Sequence, residues 1–172
     1  MRPGKYASRG QSILTSSHHL KKQNCKIYLI LHNIRSVYNV GAIFRTADAA
    51  GVSKIYLTGY TPDPAQKTAL GAQKFVLRER KRDIGELIKN LWTSDVQIVA
   101  LEQAKNAIDY RKFKPIFPIA LILGNEVRGL SPALLKKCNK IIQIPIYGKK
   151  ESLNVSVAAG IALFELIRTL GD

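Results

Sequence analysis

Polar side chains of the kinds that orient ligands collect in three short segments of this sequence. NIRSVYNVGAIFRTADAAGV holds Asn39, Gly41 and Arg45; LILGNEVRGLS holds Gly124, Asn125, Glu126, Arg128 and Gly129; IPIYGKKESLNVSVAAGIALFE holds Ser152 and Asn154. Serine or asparagine ahead of an apolar run accepts backbone N–H groups and starts a helix, so either Ser152 or Asn154 is a candidate N-cap, and Asn39 is another. Gly41 admits close approach of a second backbone. Arg45 and Asp48, at i and i+3, suit a surface ion pair, which is the plain alternative to a chemical role. Ser131 followed by Pro132 is an N-cap with proline at the first helical position. That pattern leaves Asn125, Glu126 and Arg128 without a local task.

Several chemistries are excluded at once. Gly124 and Gly129 suggest a phosphate loop, but Leu130 and Ser131 follow where Lys and Ser/Thr are required. No G-x-G-x-x-G follows the first strand, so a dinucleotide held in the Rossmann manner is not expected. Cys25 and Cys138 are too far apart for a metal-binding pair and read as reduced thiols. His18 and His19 stand side by side without a partner carboxylate or thiol at ligand spacing, so no metal is expected.

The elements that position these residues follow from periodicity. Strands are expected at Lys26–Ile34, Lys54–Tyr60, Val96–Glu102, Ile119–Gly124 and Ile141–Ile146. Helices are expected at Val40–Ala50, Asp83–Trp92, Pro132–Lys137 and Asn154–Leu170, with Thr61–Lys74 a loop or short helix. Strands alternating with helices predict an α/β fold, a mostly parallel sheet with helices on both faces. Ligands in such sheets bind beyond the carboxyl ends of the strands, where all three polar segments fall.

The chain has 172 residues, 46% of them hydrophobic, which suits one compact domain. Residues 1–25 read as a basic, flexible arm, and residues 26–172 as the folded domain. Lys and Arg number 27 against 12 Asp and Glu, for a net charge of +15. Such a charge attracts polyanions, nucleic acid first among them. It is clustered: Arg2–Lys26 carries six basic and no acidic residues, Lys74–Arg82 five against Glu79, and Lys136–Lys150 five more. No segment has the length or amphipathic character of a membrane span or interfacial helix, and the N-terminus lacks a secretory h-region, so a cytoplasmic protein with no membrane partner is expected.

Together, NVGAIFRTADAAGV, LGNEVRGLS and IPIYGKKESLNVSVAAGIALFE, in that order, resemble the three motifs of the SpoU/TrmH family of RNA 2′-O-methyltransferases, within the SPOUT superfamily. The resemblance spans about Ile27–Leu170, and KTALGAQKFV (Lys67–Val76) is similar to the stretch after the second strand. It implies a sheet whose C-terminal part is tied in a deep trefoil knot, a homodimer, and S-adenosylmethionine as cofactor. By position in the motifs, Gly124, Ile144 and Leu153 match cofactor-binding positions, with Leu101 an addition at the end of the preceding strand. Arg45 matches the catalytic arginine; Asn39, Glu126, Ser152 and Asn154 match the other polar active-site positions. The implied reaction methylates a ribose 2′-hydroxyl in tRNA or rRNA. Arginine is a poor free base, so Arg45 is expected to grip the RNA phosphate and orient the hydroxyl, leaving the final proton acceptor open.

Many relatives carry an additional RNA-binding domain or helical extensions, whereas here only the basic arm is evident. Arg2, Lys5, Arg9, Lys21 and Lys22 in the arm, with Arg45 and Arg128 in the domain, are the expected RNA contacts. Two rival classes stand beside this one: a non-catalytic RNA-binding or ribosome-assembly protein on the same fold, and a methyltransferase acting on a base.

Overall fold

The computed structural model describes residues 25–171; Arg2, Lys5, Arg9, Lys21 and Lys22 lie outside them. The strands are β1 (Ile27–His32), β2 (Lys54–Thr58), β3 (Arg78–Lys81), β4 (Gln97–Leu101), β5 (Ile108–Asp109), β6 (Ile119–Leu123) and β7 (Lys140–Gln143). The helices are α1 (Val37–Ala49), α2 (Gln66–Ala69), α3 (Ile84–Trp92), α4 (Pro132–Leu135) and α5 (Val155–Arg168). All strands join one parallel sheet in the order β3-β2-β1-β6-β4-β7-β5.

The central strand β6, IALIL, is buried along its whole length, as a strand covered on both faces must be. In β1 the pleat divides the side chains between two cores. Leu29 and Leu31 pack with Ile43 and Phe44 of α1 and Leu163 of α5, while Ile30 packs with Leu87 and Ile88 of α3. Helices therefore cover both faces, as the alternation predicts.

Register decides where the polar segments meet. Leu31 and Leu101 both pair with Leu123, so β1, β6 and β4 end level with one another. Leu101 also pairs with Ile142, which brings the end of β7 alongside. The segments after these strands thus emerge together at one edge, where the chain order reverses across β6.

Two strands lie outside the sequence expectation. β3 is RERK, an edge strand of charged residues, and β5 is a two-residue edge strand; neither has the apolar pattern that marks a strand. The other difference with consequences is at β7, which ends at Gln143 and not at Ile146. Pro145 has no N–H to give a ladder, and residues 144–146 leave the sheet, Ile144 and Ile146 lining a cavity. The segment expected as loop or short helix contains α2 and a 3-10 turn at Ala72–Lys74. Gly41 is where α2 crosses α1: a Cβ there would stand 2.3 Å from Thr68 Oγ1 and 2.7 Å from its backbone carbon. Among the described residues no helix is long and apolar enough to cross a membrane.

Candidate active site

α1 begins one turn earlier than expected, because Ser36 is its N-cap, accepting the Asn39 N–H at 3.3 Å. Asn39 is therefore not a cap. Its amide faces out of the first turn and is engaged at both ends: Nδ2 donates to Glu126 Oε1 at 2.9 Å, and Oδ1 accepts from Asn154 Nδ2 at 3.1 Å. Asn154, and not Ser152, caps α5, its Oδ1 accepting the Ser156 N–H at 2.8 Å and hydroxyl at 2.6 Å. Packing of α1 against α5, with Gly160 beside Thr46, holds the two helix starts at this spacing.

Glu126 anchors the group from the turn after β6. Besides Asn39 it accepts the N–H groups of Arg35 at 3.0 Å and Ser36 at 3.1 Å. Burial opposes its ionisation, but the Arg35 N–H, the Asn39 amide and the Ser36 N–H together outweigh that and hold the carboxyl below its ordinary range. A carboxylate so occupied is a scaffold and has little capacity left to act as a base. Asn125, which had no local task, ties the same turn down: Nδ2 donates to Asn33 O and the Tyr60 hydroxyl, both at 2.9 Å, while Oδ1 accepts from Val127 and Arg128 N–H groups.

Beside this network a cavity of about 290 Å³ opens at the ends of β4, β6 and β7, and Leu101, Gly124, Ile144 and Leu153 all line it. Glu126 and Ser152 line it as well, so network and cavity share a wall. Sequence reasoning missed Glu102 and Gln103. Glu102 accepts the Leu130 N–H at 2.7 Å and the Gln103 N–H at 3.0 Å, and Gln103 Nε2 donates to Ile144 O at 2.7 Å, binding the three lining segments together. Their position just beyond Leu101, at a strand's carboxyl end, was the available signal.

S-adenosylmethionine suits this lining. Leu101, Leu123, Ile144 and Leu153 give apolar walls for an aromatic ring, Gly124 offers bare backbone, and the Glu102 and Glu151 carboxylates suit a cationic centre. Among the described residues no group of His, Cys, Asp and Glu could hold a metal ion. Burial pushes the Cys138 thiol up to about 11, so it stays protonated.

Arg45 and Arg128 stand apart. Arg45 is exposed, forms no ion pair with Asp48, and makes no side-chain hydrogen bond among the described residues. It lies about 9 Å along α1 from Asn39 and does not line the cavity of its own chain. Arg128 is exposed beside the cavity without lining it. Ser152 Oγ is likewise without a hydrogen-bond partner among the described residues.

The parallel sheet that carries this network and cavity is similar in fold to solved structures of known proteins. Residues 26–164 match the SpoU rRNA Methylase family. A tRNA (guanosine(18)-2′-O)-methyltransferase of Aquifex aeolicus is 33% identical over 152 residues, 87% of this chain and 72% of the relative. The Escherichia coli K12 enzyme of the same name is 30% identical, covering 87% of this chain and 66% of its own length. The crystal structure of an A. aeolicus TrmH/SpoU tRNA modifying enzyme superposes with a TM-score of 0.79 at 31% identity, over 87% of this chain and 79% of that one. An AdoMet-bound rRNA methyltransferase from Sinorhizobium meliloti gives 0.77 at 34% identity, over 87% of this chain and 59% of that one. The chain belongs to the SpoU rRNA methylase family, and by class it is an RNA methyltransferase.

Proposed function

We propose that this protein transfers a methyl group from S-adenosylmethionine to the ribose 2′-hydroxyl of a nucleotide in tRNA or rRNA. The observation that carries the reading is the convergence of Leu101, Gly124, Ile144 and Leu153 on one cavity that shares Glu126 with the Asn39–Asn154 network. When bound, the cofactor supplies an electrophilic methyl group. The chain's own residues bind and orient. Ser152, with its free hydroxyl, and the second N–H of Asn154 position the ribose. Arg45 holds the adjoining phosphate in a bidentate grip and polarises the 2′-hydroxyl. The proton goes to a group other than Glu126, whose oxygens already accept three hydrogen bonds.

The proposal includes the homodimer and the knotted C-terminal segment that the motifs imply, in a cytoplasmic enzyme. Two observations support the dimer. Val157 and Phe164 of α5 are half exposed, at 51% and 52%, on a helix more apolar than one buried face needs. Arg45 stands away from its own chain's cavity, so it serves the cavity of the neighbouring subunit.

A cofactor-free RNA-binding protein would give the cavity no task, and calorimetry separates the two. Binding of S-adenosylhomocysteine, with transfer of labelled methyl to bulk tRNA or rRNA recovered as a 2′-O-methylnucleoside, is the expected result. A folded sample that takes up no cofactor at millimolar concentration overturns the reading, and methyl recovered on a base redirects it to the base-modifying class.

A further inference from the structure

The crossover from β2 to β3 carries charge and apolar surface that the methyl-transfer site does not use. Its cations are of two kinds. Lys54 and Lys81 bracket Glu79 at 3.2 and 2.6 Å, and Arg78 and Arg80 reach Asp63 at 3.5 and 3.1 Å. Lys67 and Lys74 are exposed and make no hydrogen bond or ion pair among the described residues. Beside Lys74 the ring of Phe75 is 75% exposed, and Leu70 between the two lysines is 68% exposed.

A charged edge strand blocks pairing with another sheet, and that accounts for β3 itself. It does not account for Lys67, Lys74 and Phe75, which precede the strand. They belong with Arg78, whose guanidinium bonds Gln73 O at 3.1 Å and so lies on the crossover side of the sheet. This surface adjoins the helix that carries Arg45. Thr68 packs against Gly41 and donates to Val37 O at 3.4 Å, beside Tyr38, itself 75% exposed on the first turn of α1. Unpaired cations interleaved with exposed aromatic rings make a surface for a nucleic-acid strand, since phosphates take the charge and a base takes the ring.

We propose that a single-stranded stretch of the substrate RNA, flanking the nucleotide at Arg45, lies on this crossover, with phosphates on Lys67 and Lys74 and a base stacked on Phe75. The identity of that RNA as substrate rests on the methyl-transfer reading; the surface itself does not.

The probes are a short labelled oligouridylate and unfractionated tRNA, titrated over a range of salt, with a thermal melt of each variant. Phe75→Ala is expected to weaken oligouridylate binding roughly tenfold, with Phe75→Tyr retaining it. Lys67→Ala with Lys74→Ala is expected to lower the slope of log K against log salt by about 1.5. Both leave S-adenosylhomocysteine affinity unchanged. Lys136→Ala with Lys140→Ala removes the same charge elsewhere and is expected to have the smaller effect. Wild-type affinity in Phe75→Ala, or an equal loss in the Lys136/Lys140 control, overturns the proposal. If the wild-type protein binds no cofactor while these RNA effects persist, the methyl-transfer reading fails and the surface stands.

Discussion

Asn39 and Asn154, 115 residues apart in sequence, share a hydrogen bond of 3.1 Å between the first turn of α1 and the cap of α5. Glu126 completes the link through Asn39 Nδ2, so one amide reports the relative placement of all three motif segments. Removing it leaves an Asn154 N–H without its acceptor and takes from Glu126 Oε1 one of its two hydrogen bonds, that from the Ser36 N–H remaining. Asn39→Ala is therefore expected to cost about 1 kcal/mol of stability. Its loss of methyl transfer should be larger than that stability change explains, because the proposed ribose site loses its alignment. Denaturant unfolding and single-turnover rates on the same sample check both.

Glu126 makes the network sensitive to acid. Its folded-state carboxyl titrates below the ordinary value of 4.5. The stabilisation it gives is thus fully present above that value and is lost as pH falls through the lower folded value. Glu126→Gln should be less stable than wild type at neutral pH and should lose less on going to pH 4 and below. Parallel stability curves for the two proteins through the acid range would contradict this.

Much of the fold was legible because its central strands are continuous apolar runs. The edge strands were not, since RERK and ID satisfy no strand pattern until a neighbour is present. Within the site, the motif residues were readable and their tasks only partly so. Ser36 and Asn39 are both capping types, and the choice between them is made by Glu126, 87 residues beyond Asn39. Glu102 and Gln103 act on Leu130 and Ile144, contacts of 28 and 41 residues' separation that no local spacing encodes. Asp48 shows the converse: an i, i+3 pair with Arg45 was available on the helix surface and does not form, as exposed pairs of this kind gain little.

Gly41 tests the packing that places α1. A methyl group there meets Thr68, including its backbone carbon at 2.7 Å, so trimming the Thr68 side chain cannot relieve the clash. Gly41→Ala is expected to cost about 2 kcal/mol or more, lowering Tm by roughly 5 °C, despite alanine's better helix propensity. Gly51, where a Cβ meets nothing within 4 Å but φ is +66°, should lose only about 1 kcal/mol on the same change. Thermal melts that rank the two variants the other way would refute the crossing geometry.

Arg45 does not line the cavity, so its proposed role in methyl transfer requires a second subunit. Arg45→Ala should reduce single-turnover methyl transfer roughly a hundredfold or more while S-adenosylhomocysteine affinity and Tm stay near wild type. Arg45→Lys should not restore the rate, because an ammonium lacks the planar fork for a bidentate phosphate contact. Leu153→Asp should do the opposite, blocking the cavity while leaving Arg45 in place; Leu153 is 41% exposed, so the fold tolerates the change. If each arginine serves its partner's cavity, a heterodimer of the two variants holds one site with an intact arginine and an intact cavity. Half of a randomly re-paired mixture is heterodimer, so co-refolding the two inactive variants should recover about a quarter of wild-type activity. Each variant alone should recover none. If light scattering finds only a 19.1 kDa species, or if the mixture stays as inactive as its components, Arg45 does not work across a subunit border.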